Sequence, residues 1–370
     1  MKYVPALDGP HEYRFINLFR ALAAFWVLAA HCQIWGGWYG LPLPSAKLAV
    51  DLFMMISGFL MVATTSRGMD ARKFWMRRLF RIAPAYYLSL LVAVVCQHWF
   101  LQGYAELQAL NPGRWQPGGT YDPARIQYTA ENIGLHLSFL FGLSPDYSFS
   151  TMLPDWSLGL EMQFYAVFPP LAWAMLRYGA IRVAILVCAL ALIAAPYVPQ
   201  FREPSLLVLK LNYFVAGMLA CHALANRRMT AACAAIGLSA LGVGYGVDAM
   251  IPAALMVAML WMGRKEIAGT SPAWVARITG SRLVTFASNV SYGVYLFHGF
   301  FIAACGFLFT SAAVSPPVRV AVMFALVTAG AYATGWAVYR YIERPGIGLG
   351  KRIHFVTRLS QSRKHERWSQ

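Results

Sequence analysis

Residues 15–34 read FINLFRALAAFWVLAAHCQI, an apolar stretch of membrane length interrupted by two ionisable side chains, Arg20 and His31. About 20 apolar residues cross the hydrocarbon core as a helix. An ionisable side chain near the bilayer centre costs roughly 2.5 to 3.5 kcal/mol on insertion scales, so such residues face a bundle interior or a wet cavity. Arg20 and His31 lie eleven positions apart. At about 100° and ~1.5 Å per residue, that spacing returns nearly to the same helix face after about 16 Å. One face of one helix therefore carries a guanidinium toward one end and an imidazole toward the other.

The rest of the chain has the same character. Of 370 residues, 59% are hydrophobic and 12% charged, against about 25% charged in soluble domains. Apolar runs near 15–34, 47–65, 82–102, 155–176, 182–200, 204–225, 230–247, 249–263, 283–308 and 318–341 predict an all-α, polytopic integral membrane bundle of about ten transmembrane helices. The pair around 230–263 also reads as one hairpin, and the apolar segment near 131–144 is too short to span. The first run is too long for a signal peptide, and its small residues lead into His31 rather than a cleavage site. Cys32, Cys96, Cys188, Cys221, Cys233 and Cys305 lack paired metal spacing and read as packing residues; no metal is expected.

Basic loops normally stay in the cytoplasm. Lys2 and Arg14, the cluster Arg67, Arg72, Lys73, Arg77, Arg78 and Arg81, Arg177 and Arg182, Arg227 and Arg228, then Arg264, Lys265, Arg277, Arg282 and the tail from Arg340 fall on one side. Only Lys47, Arg114, Arg125, Arg202, Lys210 and Arg319 fall on the other. Both termini are thus predicted cytoplasmic. The chain is expected to divide into a membrane domain, 1–345, and a basic cytoplasmic tail, 346–370, of which part of the stretch from Lys351 through Arg367 is expected to lie on anionic headgroups. The net charge of +16 is a topology signal, and no nucleic-acid partner is expected.

Several polar constellations interrupt the apolar runs. Asp51 opens the second helix in Asp51-Leu52-Phe53, followed by Ser57-Gly58; it reads either as a site acid or as a first-turn acid favoured by the helix dipole. Arg77, Arg78 and Arg81 stand at i, i+1 and i+4, with 77 and 81 stacked on one face, and read as a phosphate cradle or as a positive-inside anchor. Ser157, Glu161 and Tyr165 share a face of another span, with Glu161 a cavity-facing acid or the partner of an intramembrane arginine. Tyr292, His298 and Glu343 lie in Ser291-Tyr292-Gly293-Val294-Tyr295-Leu296-Phe297-His298 and in Glu343-Arg344-Pro345; alone, they read as packing or interfacial residues.

The order of these motifs resembles the acyltransferase-3 family of integral membrane O-acyltransferases, which modify bacterial surface polysaccharides and other acceptors. The resemblance rests on six segments in sequence. They are Arg20-x10-His31; Asp51-Leu52-Phe53 with Ser57-Gly58-Phe59-Leu60; Arg77-Arg78 with Arg81, Pro84 and Tyr87; Ser157 with Glu161, Gln163, Phe164 and Tyr165; Ser291-Tyr292 with Tyr295-Leu296 and His298; and Glu343-Arg344-Pro345. Met54-Met55 and Gly159 depart from the family pattern without removing a reactive group.

The resemblance implies transfer of an acyl group, most often acetyl, from acyl-CoA on the cytoplasmic side to a hydroxyl of a cell-surface or lipid-linked saccharide, in a multi-pass protein of the bacterial inner membrane. Arg20, Arg77, Arg78 and Arg81 would then receive the CoA phosphates. His31 would be the general base, oriented by Glu161 or Asp51; a covalent acyl-histidine is the alternative route. Ser157, Tyr165, Tyr292, His298 and Glu343 would contact substrate or support the site. Acyl-CoA, a saccharide or glycolipid acceptor and membrane lipids are the expected partners, with polysaccharide-assembly proteins or a second copy of the chain left open. The short stretch after the last span leaves no room for an appended extracellular domain. Trp115, Tyr121, Tyr128 and Tyr147 on the long outer segment suit a sugar or interfacial anchoring. A proton-coupled transporter or polysaccharide exporter is the competing reading, disfavoured because the two halves show no internal repeat.

Overall fold

The computed structural model describes residues 13–65, 70–112, 114–115, 126–151, 153–242, 246–309 and 314–352, and among them every regular element is helical. In chain order these are α1 (Arg14–Gly36), α2 (Ala46–Thr65), α3 (Ala71–Val95), α4 (Gln97–Ala109), α5 (Ala130–Leu137), α6 (Trp156–Tyr178), α7 (Ala180–Ala194), α8 (Leu211–Asn226), α9 (Met229–Ser239), α10 (Met250–Ile267), α11 (Ala273–Thr279), α12 (Arg282–Phe309) and α13 (Pro316–Val338). Among the described residues, six helical stretches are long and apolar enough to cross a membrane: α1, α2, α3, α7 with its 3-10 extension to Gln200, α12, and α13 with its continuation to Arg352.

Two boundaries differ from the sequence reading. The run expected at 82–102 is two helices meeting at Cys96. The basic stretch before it is helix rather than loop, because the Asp70 side chain accepts the Lys73 N–H at 3.1 Å and caps α3 from residue 71 onward. At the other end of the chain, α13 runs through a π-helical turn, Tyr339–Glu343, and onward as α-helix to Arg352 without a break at 345. Lys2, Arg67, Tyr121, Arg125 and the tail from 353 onward lie outside the described residues.

Small residues let the central helices touch. A Cβ on Gly58 of α2 would stand 1.9 Å from the Phe214 carbonyl oxygen, and one on Gly217 of α8 would stand 1.9 Å from that of Met55. The two backbones therefore pack directly, as small-residue contacts allow in a bilayer. α12 lies among α1, α4 and α13. The N-terminus of α1 is fixed by Glu266, whose two carboxylate oxygens accept the Arg14 and Phe15 N–H groups, each at 2.9 Å. That satisfies two orphan donors with a charge suited to the helix dipole.

Candidate active site

The face of α1 predicted from the Arg20-to-His31 spacing opens onto two cavities, one at each end. Arg20 lines a cleft of about 820 Å³. His31 lines a second, of about 680 Å³. Val50 and Tyr295 belong to the walls of both, so α2 and α12 together form the partition between them.

At the Arg20 end, α3 contributes Arg78, Arg81 and Ile82 to the cleft, a run at i, i+3 and i+4. Arg20 donates to Ser291 Oγ at 3.2 Å, and Arg78 donates to Thr64 Oγ1 at 3.3 Å while its guanidinium lies 5.7 Å from the centres of the Phe74 and Tyr165 rings. Glu161 accepts from Ser57 Oγ at 3.2 Å and, closer still, from Tyr165 OH. The charges of Arg81, Glu343 and Glu161 act on Arg20. The walls of the same cleft also include the apolar side chains of Phe53, Met54, Ile56, Leu60 and Phe214. The cleft thus combines three guanidinium groups with an extended apolar wall.

In the second cavity, hydrogen bonds fix the histidine tautomers. His298 Nδ1 lies 2.8 Å from the Tyr295 carbonyl oxygen and 3.2 Å from that of Val294. Carbonyls only accept, so in the neutral ring Nδ1 carries the proton and Nε2 the lone pair. His31 Nδ1 stands 2.7 Å from that Nε2 and must donate to it. The lone pair of His31 is therefore on its own Nε2. An imidazole with one nitrogen held by a buried acceptor and the other basic is the arrangement a general base requires.

The same cavity is lined by Trp35, Tyr104, Phe149 and Trp156 and by the pair Lys47 and Glu203. Lys47 Nζ is 3.1 Å from Glu203 Oε2. Burial pushes the Glu203 carboxyl above its ordinary range, an effect that Lys47 partly opposes. Trp115 stacks on Trp35 with ring centres 4.3 Å apart, and Tyr128 donates to the Thr151 carbonyl at 2.6 Å.

Three expectations change. Either Asp51 or Glu161 was expected to orient His31, but the ring partner of His31 is His298. Asp51 is instead fully buried with Lys210 Nζ at 2.8 Å, joining the start of α2 to the start of α8, and Glu161 lines the other cavity. In the arginine cluster, Arg77 is exposed and lies outside the cleft, while Arg78 and Arg81, neighbours at i and i+3, line it. Of the remaining residues, Ser157 shares a 2.8 Å hydrogen bond with Tyr295 at the partition, Tyr292 donates to the Ile82 carbonyl at 2.9 Å, and Glu343 is buried in the π-helical turn.

Sequence reasoning missed Lys210, Glu203 and the pair His136 and Asp155. Asp155 is buried with His136 Nε2 at 3.4 Å and accepts from Tyr86 and Thr151, tying the outer segment to α6. Lys210, read as an outer-side charge, carries one available signal: a lone cation beside an apolar run, in a chain with an equally isolated Asp51. The departure at Gly159 also has a cause. A Cβ there would stand 3.2 Å from the Phe141 ring and 3.3 Å from Gly142 Cα. Among the described residues no group of three or more His, Cys, Asp or Glu could hold a metal.

Comparison with known proteins bears on the family. The chain is 27% identical over 322 residues to the exopolysaccharide production protein ExoZ of Rhizobium meliloti, covering 82% of this chain and 90% of that one. It is 28% identical over 193 residues to the peptidoglycan O-acetyltransferase OatA of Listeria monocytogenes, covering 48% of this chain and about a quarter (25%) of that longer protein. No solved structure matches the chain significantly. Residues 13–336 match the acyltransferase domain that defines the acyltransferase-3 family, and with nearly its whole length in that match the chain belongs to this family of acyltransferases.

Proposed function

We propose that the protein transfers an acetyl group from acetyl-CoA to a hydroxyl of a cell-surface or lipid-linked saccharide, with His31 as the general base. The observation that carries the reading is the pair of cavities meeting at Tyr295 and Val50, with the basic nitrogen of His31 beyond the partition. Arg20, Arg78 and Arg81 meet the CoA phosphates, where guanidinium forks give strong charge-assisted bonds. The pantetheine arm follows the apolar walls and brings the thioester to the partition. In the second cavity His31 Nε2 takes the proton of the acceptor hydroxyl as its oxygen attacks the thioester carbonyl. The C–O bond forms, the C–S bond breaks, and the proton passes from His31 to the departing sulfur. His298 accepts the Nδ1–H throughout and steadies the transient imidazolium. Proton transfer of this kind is worth about 10² to 10⁴ in rate.

The names of the relatives support acetyl as the acyl group and a polysaccharide as the acceptor. The charge asymmetry of the loops supports about ten crossings in the inner membrane with both termini in the cytoplasm, which sets the arginine cleft on the side that holds acyl-CoA. The test is transfer of label from labelled acetyl-CoA to extracted surface glycan by membranes containing the protein, against membranes without it. Label on the glycan only with the protein supports the reading. Equal label in both, or none, refutes the donor or acceptor and returns weight to transport.

A further inference from the structure

The cavity that holds His31 contains a charged pair for which the transfer chemistry has no use. Glu203 has a side chain only 6% exposed, and Lys47 beside it is 41% exposed. A carboxylate withdrawn from water is costly unless its oxygens are hydrogen-bonded. It has about four lone-pair sites, and a single ammonium fills few of them. Both residues line the cavity with His31, so the remaining acceptor capacity of Glu203 lies where an acceptor substrate would stand.

The loop bearing Glu203 is held firmly from several elements. Gln163 of α6 donates to the Ser205 carbonyl and accepts the Leu207 N–H, each at 2.9 Å. Ser205 Oγ donates to the Gly142 carbonyl at 3.0 Å, and Arg202 donates to the Phe149 carbonyl at 3.1 Å. The segment carrying the carboxylate is thus held on both sides, by the Arg202 side chain before it and by Ser205 and Leu207 after it. Around it stand Trp35, Tyr104, Phe149 and Trp156, flat faces that suit the C–H surface of a sugar ring. The net charge of the pair is zero, and a carboxylate beside the lysine repels phosphate. The chemistry therefore selects a neutral, hydroxyl-rich ligand.

We infer that Glu203 and Lys47 form a hydroxyl-reading subsite for the acceptor saccharide. Glu203 accepts a hydrogen bond from a hydroxyl adjacent to the one that His31 deprotonates, and Lys47 donates to the same or the neighbouring oxygen. The pair chooses which hydroxyl is acylated. This inference rests on the reading of His31 as base toward a saccharide.

The test uses purified full-length protein, acetyl-CoA and oligosaccharide released from the surface glycan, comparing wild type with Glu203→Gln, Glu203→Asp and Lys47→Met. Acceptor KM, acetyl-CoA KM and the position of the new ester, read by NMR, are measured on the same preparations. Glu203→Gln and Lys47→Met should each raise acceptor KM at least tenfold and spread the ester over more than one position. Acetyl-CoA KM should stay within twofold, and Glu203→Asp should recover part of the loss. Unchanged acceptor KM and ester position in both Gln and Met variants overturn the subsite while leaving the transfer reading intact. Loss of acetyl-CoA binding in Glu203→Gln makes the residue a structural support and also overturns it. Failure of the wild type to transfer overturns the function and the subsite together.

Discussion

Replacing His298 with alanine isolates the element that sequence alone did not pair with His31. The substitution removes the acceptor standing 2.7 Å from His31 Nδ1. In the resting enzyme that bond fixes which nitrogen of His31 is basic; in the transition state, with His31 protonated, it becomes charge-assisted. Hydrogen bonds to charged groups are worth about 1.5 to 3 kcal/mol. At 1.36 kcal/mol per tenfold, kcat should fall about 10- to 150-fold. The acetyl-CoA KM should stay within twofold, because Arg20, Arg78 and Arg81, proposed to meet the CoA phosphates, line the other cavity. His298→Gln offers an amide oxygen near the same place and should restore part of kcat. Initial rates of labelled acetyl transfer by purified protein, over a range of acetyl-CoA, separate the two constants. Detergent gel filtration and a thermal melt confirm that the variants are folded. A kcat within twofold of wild type, or a raised acetyl-CoA KM with kcat unchanged, would refute the dyad.

Three other outcomes follow from the same geometry. Arg78→Ala should raise acetyl-CoA KM about tenfold or more while leaving acceptor KM unchanged, whereas Arg77→Ala, outside the cleft, should leave both near wild type; kinetics in both substrates check this. Asp51→Asn removes the carboxylate 2.8 Å from the buried Lys210 ammonium and should cost about 3 to 5 kcal/mol of stability, whereas Asp51→Leu combined with Lys210→Met should recover most of the melting temperature and activity; no recovery of activity would return Asp51 to the chemistry. Glu203, its carboxyl raised by burial, keeps its proton in the native state through a window above the ordinary carboxylate pKa, where the unfolded chain has released it. Stability should therefore fall as pH rises through that window, and Glu203→Gln should flatten that slope in melts taken from pH 4 to 8.

Much of the bundle was legible because helix periodicity acts over short distances. The spacing of Arg20 and His31 fixed their common face, and the charges along the chain set out where the apolar runs begin and end. The pairing of faces from distant helices was not legible. His31 meets His298 and Asp51 meets Lys210, contacts separated by 267 and 159 positions, and nothing in a period of 3.6 says which helices become neighbours. The same limit explains Arg77. Residues 77, 78 and 81 crowd one side of α3, and only its docking against α6, α12 and the π-helical turn decides that 78 and 81 face the cleft. Glu203 was invisible for another reason: it sits on an irregular loop whose aim is set by Gln163, a residue of a different helix.

The most direct test of the account is His31→Ala at matched expression, assayed with labelled acetyl-CoA and the glycan acceptor beside the wild type. Loss of the imidazole whose Nε2 carries the lone pair, with its Nδ1–H held by His298, should lower transfer by about 10² to 10⁴, with acetyl-CoA binding retained. Transfer at the wild-type rate by His31→Ala would contradict the account and leave His31 a packing residue.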